Sequence, residues 1–115
     1  MFCAGQGVDQ DFAEATSLFF PLAEQGDVRA QISLGFMYYA GQGCEVDFNK
    51  AAYMFHLAAA QGNSEGQRNL GVMLSRGEGV EQDEAKAATW FRLAIAQGNT
   101  NAQLNLNALI SRVQN

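Results

Sequence analysis

Three sets of residues in this chain have the types and spacing that chemistry requires. Gly62-Asn63-Ser64-Glu65-Gly66 matches the G-x-S-x-G nucleophile elbow, in which a serine on a tight turn attacks an acyl carbon, and His56 stands close enough in sequence to suggest its base. Acids pair as Asp9 with Asp11, Glu45 with Asp47 and Glu81 with Asp83, an oxygen set of the kind that binds Ca²⁺. Gly5-Gln6-Gly7, Gly41-Gln42-Gly43 and Gly77-Glu78-Gly79 supply paired glycines, as phosphate loops do, but without the third glycine of a dinucleotide fingerprint or the lysine of a phosphate loop.

The elements that hold these residues decide between such readings, and they are set by a period. The Gly-x-Gly triplets recur every 36 residues, as do Glu24-Gln25-Gly26, Ala60-Gln61-Gly62 and Ala96-Gln97-Gly98, with no insertion or deletion between copies. A fixed period of this length signals one supersecondary unit stacked on copies of itself. Within the unit, Ala30, Leu34, Gly35 and Tyr38 lie on one helical stripe and predict helix A over about 28–40. Gly41 and Gly43 break it, Asp47 is placed as an N-cap, and the apolar positions from Ala51 to Ala59 predict helix B over about 48–61. Gly62 suits the C-cap and Asn63 caps the next helix A. The other copies predict helix B over about 12–25 and 84–97 and helix A over about 64–76 and 100–113. Asp11 with Glu14 forms a capping-box pattern, whereas Pro21 is expected to kink or end the first helix B early.

The period turns most candidate chemistry into architecture. Ser64 occupies the turn between helix B and helix A, as Val28 and Thr100 do in the other copies, where an elbow needs a strand-to-helix turn. The second acid of each pair falls where a helix is capped, with a favourable dipole interaction. His56 aligns with Phe20 and Arg92 at a variable position, is the only histidine, and is expected to be solvated. Ala15/Ala51/Ala87, Ala30/Gly66/Ala102 and Leu22/Ala58/Ala94 are expected at close helix contacts, with Phe19/Phe55/Phe91 filling between; Trp90, aligned with Met54 and Leu18, is assigned to the core. Glycine inside helix A costs about 1 kcal/mol in propensity. Its presence at both Gly35 and Gly71 predicts a neighbouring helix packed on bare backbone.

Leu34-Gly35, Tyr38, Gly41-x-Gly43, Asp47, Lys50-Ala51, Phe55, Ala58-Ala59 and Gln61-Gly62 resemble the Sel-one-like repeat, a relative of the tetratricopeptide repeat. Leu70-Gly71, Gly77-Glu78-Gly79-Val80, Lys86-Ala87, Trp90-Phe91 and Gln97-Gly98 resemble it more closely still, and the resemblance covers essentially the whole chain. It departs from the pattern at Asn107, in place of the helix A glycine, at Cys44, in place of a loop valine, and at Pro21. The resemblance implies an all-α, right-handed superhelical solenoid of antiparallel helix pairs that acts as an adaptor for proteins or peptides. It also raises β-lactamase-like chemistry, yet Ser17, Ser33, Ser64, Ser75 and Ser111 all lack a lysine three residues on.

The 115 residues form a single repeat domain: a partial repeat over 1–26, full repeats over about 27–62 and 63–98, and a final helix over 99–115. Met1-Phe2-Cys3-Ala4 aligns with the end of a helix A, so a segment of a longer repeat protein is expected. The incomplete first repeat can pair with another copy as a homodimer. A net charge of −5 with seven scattered basic residues argues against nucleic acid, and no apolar run approaches the roughly 18 residues of a membrane helix. Cys3 and Cys44 differ in repeat position and are expected reduced, without a bridge. No catalytic residue, cofactor or metal is expected.

Binding is expected on the face of helix A opposite the core, lined by Arg29, Ser33, Phe36 and Tyr39, then Glu65, Arg68, Asn69, Val72 and Arg76, then Asn101 and Asn105. These positions vary between copies while the framework does not. In solenoids the A helices line the concave side, where polar side chains can bond an extended peptide and aromatic ones anchor it. The expected function is therefore a noncatalytic protein-interaction module. An inhibitor or immunity-type protein capping one partner is the alternative that a strongly acidic groove would favour, and a serine hydrolase using Ser64 is the alternative from another class.

Overall fold

Every turn from a B helix into an A helix is built the same way, and one residue in each does two jobs. At the middle turn the Gly62 N–H donates to Ala59 O (2.9 Å) and the Asn63 N–H to Ala58 O (3.1 Å), the paired bonds of a Schellman motif, with Gly62 at φ 91°. Asn63 then caps the next helix, its Oδ1 accepting from the Gly66 N–H at 2.8 Å. Asp27 and Asn99 repeat this with Ala30 and Ala102. The B helices start from Asp47 and Asp83, whose Oδ1 atoms accept from the Lys50 and Lys86 amides. Their own N–H groups donate to Tyr38 O and Leu74 O, which ties each B helix to the last turn of the A helix before it.

The computed structural model describes residues 7–41 and 46–114, with side chains from Glu14 to Val113. Among these residues it contains α1 (Gly7–Glu24), α2 (Val28–Ala40), α3 (Phe48–Ala60), α4 (Ser64–Arg76), α5 (Glu84–Ala96) and α6 (Thr100–Gln114), and no strand. The chain is an all-α solenoid of antiparallel helix pairs, with α2, α4 and α6 as A helices and α1, α3 and α5 as B helices. Its longest dimension is 47 Å against 27 and 22 Å. A 13-residue helix is only about 20 Å long, so the long axis is the stacking direction. Cys3, Gly5, Gln6, Gln42, Gly43, Cys44 and Glu45, with the readings made on them, lie outside the described residues.

The core runs between the two layers as small residues at the crossings and one large ring per pair. Ala51, Ala58, Ala87, Ala94 and Ala102 are fully buried, and Phe55, Phe91, Leu34 and Met73 are the largest side chains to be so. The expected contact with bare backbone is present twice. A Cβ on Gly35 would lie 2.5 Å from Phe55 Cε1, and one on Gly71 2.6 Å from Phe91 Cε1. A second, polar set of contacts joins the two helices of a pair and ties each pair to the one before it. Buried Gln31 donates to Ala23 O (3.0 Å) and accepts from Gln61 Nε2 (2.9 Å), and buried Gln67 accepts from Gln97 Nε2 (3.0 Å), which also donates to Gly62 O at 2.8 Å.

Four expectations need correction. The first helix starts at Gly7, so Asp11 lies inside it and does not cap it. Pro21 does not end that helix, which runs on to Glu24. The proline ring is exposed, its carbonyl accepts from the Gln25 N–H, and burial of Ala23 with the following Schellman turn holds the last turn against the lost bond. Leu22 is 43% exposed where Ala58 and Ala94 are buried, because no described helix precedes α1 on that side. Trp90 is only half-buried: it packs against the core on one side and opens onto the hollow between α3 and α5 on the other.

Gly71→Ala is expected to destabilise the fold by about 1–3 kcal/mol through overpacking against Phe91, although alanine is the better helix former by about 1 kcal/mol. Urea denaturation of Gly71→Ala and of Gly71→Ala/Phe91→Leu tests this, with partial recovery expected in the double variant. Gln97→Ala, which leaves the Gln67 carbonyl without its side-chain donor, is expected to cost about 1–3 kcal/mol. In the same measurement Gln103→Ala, at an exposed position, should change stability by under about 0.5 kcal/mol.

Candidate protein-binding face

The A helices present one continuous surface whose floor is the core itself. On α2, Phe36 stands 39% exposed with its ring edge-to-face on Phe55 (centroids 5.3 Å, 76°), and Tyr39 tilts over Phe48 at 5.0 Å. On α4, Arg68, Asn69, Val72 and Arg76 rise beside them. These groups enclose a hollow of about 230 Å³ between α2 and α4, closed by Phe55, Met73 and Asn105. A second hollow of about 180 Å³ lies between α4 and α6 and shares Val72, Arg76 and Asn105 with the first. The two form one groove across three A helices.

Polar contacts shape this groove. Tyr39 OH donates to Glu78 Oε1 (2.8 Å) and accepts from Arg76 Nη1 (3.3 Å). Burial, and then the hydrogen bond and charge of Glu78, raise the phenol above its ordinary pKa against the opposing pull of Arg76, so it remains a donor at neutral pH. Arg68 Nη1 donates to Asn105 Oδ1 (3.4 Å), while its Nε is buried with no hydrogen-bond partner. Asn69 Nδ2 donates to Glu65 O of its own helix. Arg112 Nη2 pairs with Glu84 (2.9 Å) and also donates to Ser75 O.

Of the side chains expected on this face, Phe36, Tyr39, Arg68, Asn69, Val72, Arg76 and Asn105 line the first hollow together. Arg29, Ser33, Glu65 and Asn101 do not. Arg29, Glu65 and Asn101 share one repeat position in the first turn of their helices, away from the hollow, and Ser33 sits partly buried on α2 outside it. Sequence reasoning missed Arg112, although it stands 36 residues after Arg76 and the period already marked it. Glu78, on the loop after α4, carried no such mark. The groove bears Arg68, Arg76 and Arg112, so it lacks the acidic character that an inhibitor of a basic enzyme would favour.

The opposite side holds a larger hollow that the sequence did not reveal. Between α3 and α5, Tyr53, His56, Val80, Trp90 and Leu93 surround about 630 Å³ over Leu70 and Leu74. His56 is exposed, as expected, and packs edge-on against Trp90 (centroids 6.3 Å, 90°). Ser64 opens α4, and among the described residues its Oγ meets only the Asn99 amide, at 3.5 Å. It has neither the strand-to-helix turn nor the base of a nucleophile elbow. Asp47 and Asp83 each commit an oxygen to a helix amide. No helix among the described residues is long and apolar enough to cross a membrane.

Comparison with known proteins agrees with this architecture. The Sel1 repeat model matches residues 1–27, 28–63 and 64–99. No curated protein matches the chain significantly. Among solved structures, the protective antigen c5321 of uropathogenic Escherichia coli, which displays an SLR fold, superposes with a TM-score of 0.84 at 37% identity over 96% of this chain and 24% of its own. A Sel1 repeat protein from Oxalobacter formigenes gives 0.76 at 38% identity, over 79% of this chain and 26% of its own. Cysteine rich protein B from Helicobacter pylori gives 0.71 at 25% identity, over 76% of this chain and 65% of its own. The chain thus spans about a quarter of the first two proteins and less than two-thirds of the third. With three consecutive matches to the repeat model in register with the helix pairs, the chain belongs to the Sel1 repeat family.

Proposed function

We propose that this chain is a noncatalytic protein-interaction module that holds a peptide or protein in the groove across α2, α4 and α6. Sel1 repeat proteins are in general protein-interaction modules and typically noncatalytic scaffolds. The observation that carries the reading is the division of labour within the repeat. Buried positions largely keep their types from copy to copy, whereas the outer positions change, Phe36 aligning with Val72 and Ala108, Arg68 with Ile32 and Leu104, and Arg76 with Ala40, and Phe36, Arg68, Asn69, Val72, Arg76 and Asn105 gather in one hollow. Varied polar and aromatic groups over a rigid apolar floor suit recognition of a specific chain, with Phe36 as an anchor and the amides and guanidinium groups as hydrogen-bond donors.

A second mode, self-association through the first helix, is favoured by exposed Leu18 (70%) and Leu22 (43%) on α1, at positions that are buried in α3 as Met54 and Ala58.

A pulldown with the chain as bait, run beside Phe36→Ala/Asn69→Ala and Tyr53→Ala/Trp90→Ala variants of unchanged helical circular dichroism, tests the first mode. The partner should be lost with the first variant and kept with the second; the reverse pattern would move the site to the B-helix face. Sedimentation velocity tests the second mode: a dimer that Leu18→Glu converts to monomer supports it, and a monomer at all concentrations removes it.

A further inference from the structure

Building on that proposed reading, we infer that the groove selects an acidic segment: an extended peptide carrying two carboxylates, three or four residues apart, with an apolar residue between them. The groove is a cationic site in an acidic molecule. The chain bears a net charge of −5, yet Arg68 and Arg76 both line the hollow, and among the described residues neither has a carboxylate ion-pair partner. Of the groove's arginines only Arg112 is paired, with Glu84 at the far end. Among the described residues Glu78 is linked to Arg76 only through Tyr39 OH, which donates to the carboxylate and accepts from the guanidinium.

Arg68 is the sharpest feature. Its Nε is buried and makes no hydrogen bond, and its Nη1 reaches only a neutral amide oxygen at 3.4 Å. Buried donors are nearly always satisfied; with Nε closed to solvent, the Nη end of the guanidinium is what the hollow offers, and its two nitrogens can meet a carboxylate. Asn69 and Asn105 line the same hollow with further amide groups.

Spacing sets the rest. Arg68 and Arg76 are eight residues apart on α4, or about 12 Å along the helix axis, and an extended peptide covers that distance in three to four residues. Between them stands Val72, and with Phe36 and Met73 it makes the middle of the hollow apolar. A partner with acid, apolar and acid groups in that order meets each element with its complement, and steering by the arginines would speed its approach.

The test is selection of random seven-residue peptides displayed on phage against the purified chain, followed by fluorescence anisotropy of the recovered peptides. Aspartate and glutamate should be enriched at two positions three or four apart around an apolar residue. Replacing both acids by their amides should weaken binding about tenfold or more. Arg68→Gln and Arg76→Gln should each weaken the acidic peptide more than the amide peptide and so shrink that difference, and the double variant should erase it; a difference unchanged by both variants overturns the inference. No acidic enrichment, whether from neutral binders or from no binders, overturns the inference. Neutral binders lost with Phe36→Ala would leave the groove as the binding site and sink only its acidic preference, whereas binders insensitive to Phe36→Ala would sink both. Single-stranded polyuridylate should not displace the acidic peptide, and displacement would overturn the assignment of a peptide ligand.

Discussion

The contact on which this structure depends is a phenylalanine ring laid on bare helix backbone. Phe55 over Gly35 and Phe91 over Gly71 close each helix pair at a distance that even one methyl group would prevent. A helix former in the middle of helix A would gain propensity but hold the helices apart, and the close-packed interior would lose its contacts along the whole pair. The same rings floor the two hollows on the A-helix side, Phe55 in one and Phe91 in the other. The groove is therefore not an addition to the fold. It is the exposed side of the contact that makes the fold.

Around that contact the repeat separates rigid from variable positions. Asp27, Asn63 and Asn99 each finish one helix and start the next, leaving little freedom in how an A helix follows a B helix. The glutamine pairs Gln31–Gln61 and Gln67–Gln97 fix the two helices of a pair, and the bonds from Gln31 to Ala23 O and from Gln97 to Gly62 O tie each pair to the one before it, through directional bonds in an otherwise apolar layer. Apolar surfaces tolerate sliding; a buried amide with a single geometry of satisfaction does not. With pitch and register held this way, side chains on the outer face of each A helix are free to differ without cost to packing.

The repeats are not equivalent at the two ends. α1 exposes Leu18 and Leu22 where α3 buries Met54 and Ala58, and α6 carries Asn107 at the glycine position, where its side chain accepts from Gln103 and no described ring covers it. Each departure goes with the smaller number of described helices packed on α1 and α6.

By itself the sequence determined the period, the six helices, the caps of all but the first and the glycines that receive a ring, because each is local: it rests on spacing along one helix or on the turn chemistry of two or three residues. It also marked most of the groove, because side chains that vary at a constant repeat position must face away from the shared core. Only the tertiary structure decided that Arg29, Glu65 and Asn101 stand outside the hollow, that Arg112 and Glu78 belong beside it, and that Trp90 opens with His56 onto a second hollow rather than entering the core. Those outcomes turn on how far successive helices are offset and on the room left between them. That offset is fixed by contacts between residues 30 or more positions apart, such as Gln31 with Gln61 and Tyr39 with Glu78, which no local pattern encodes.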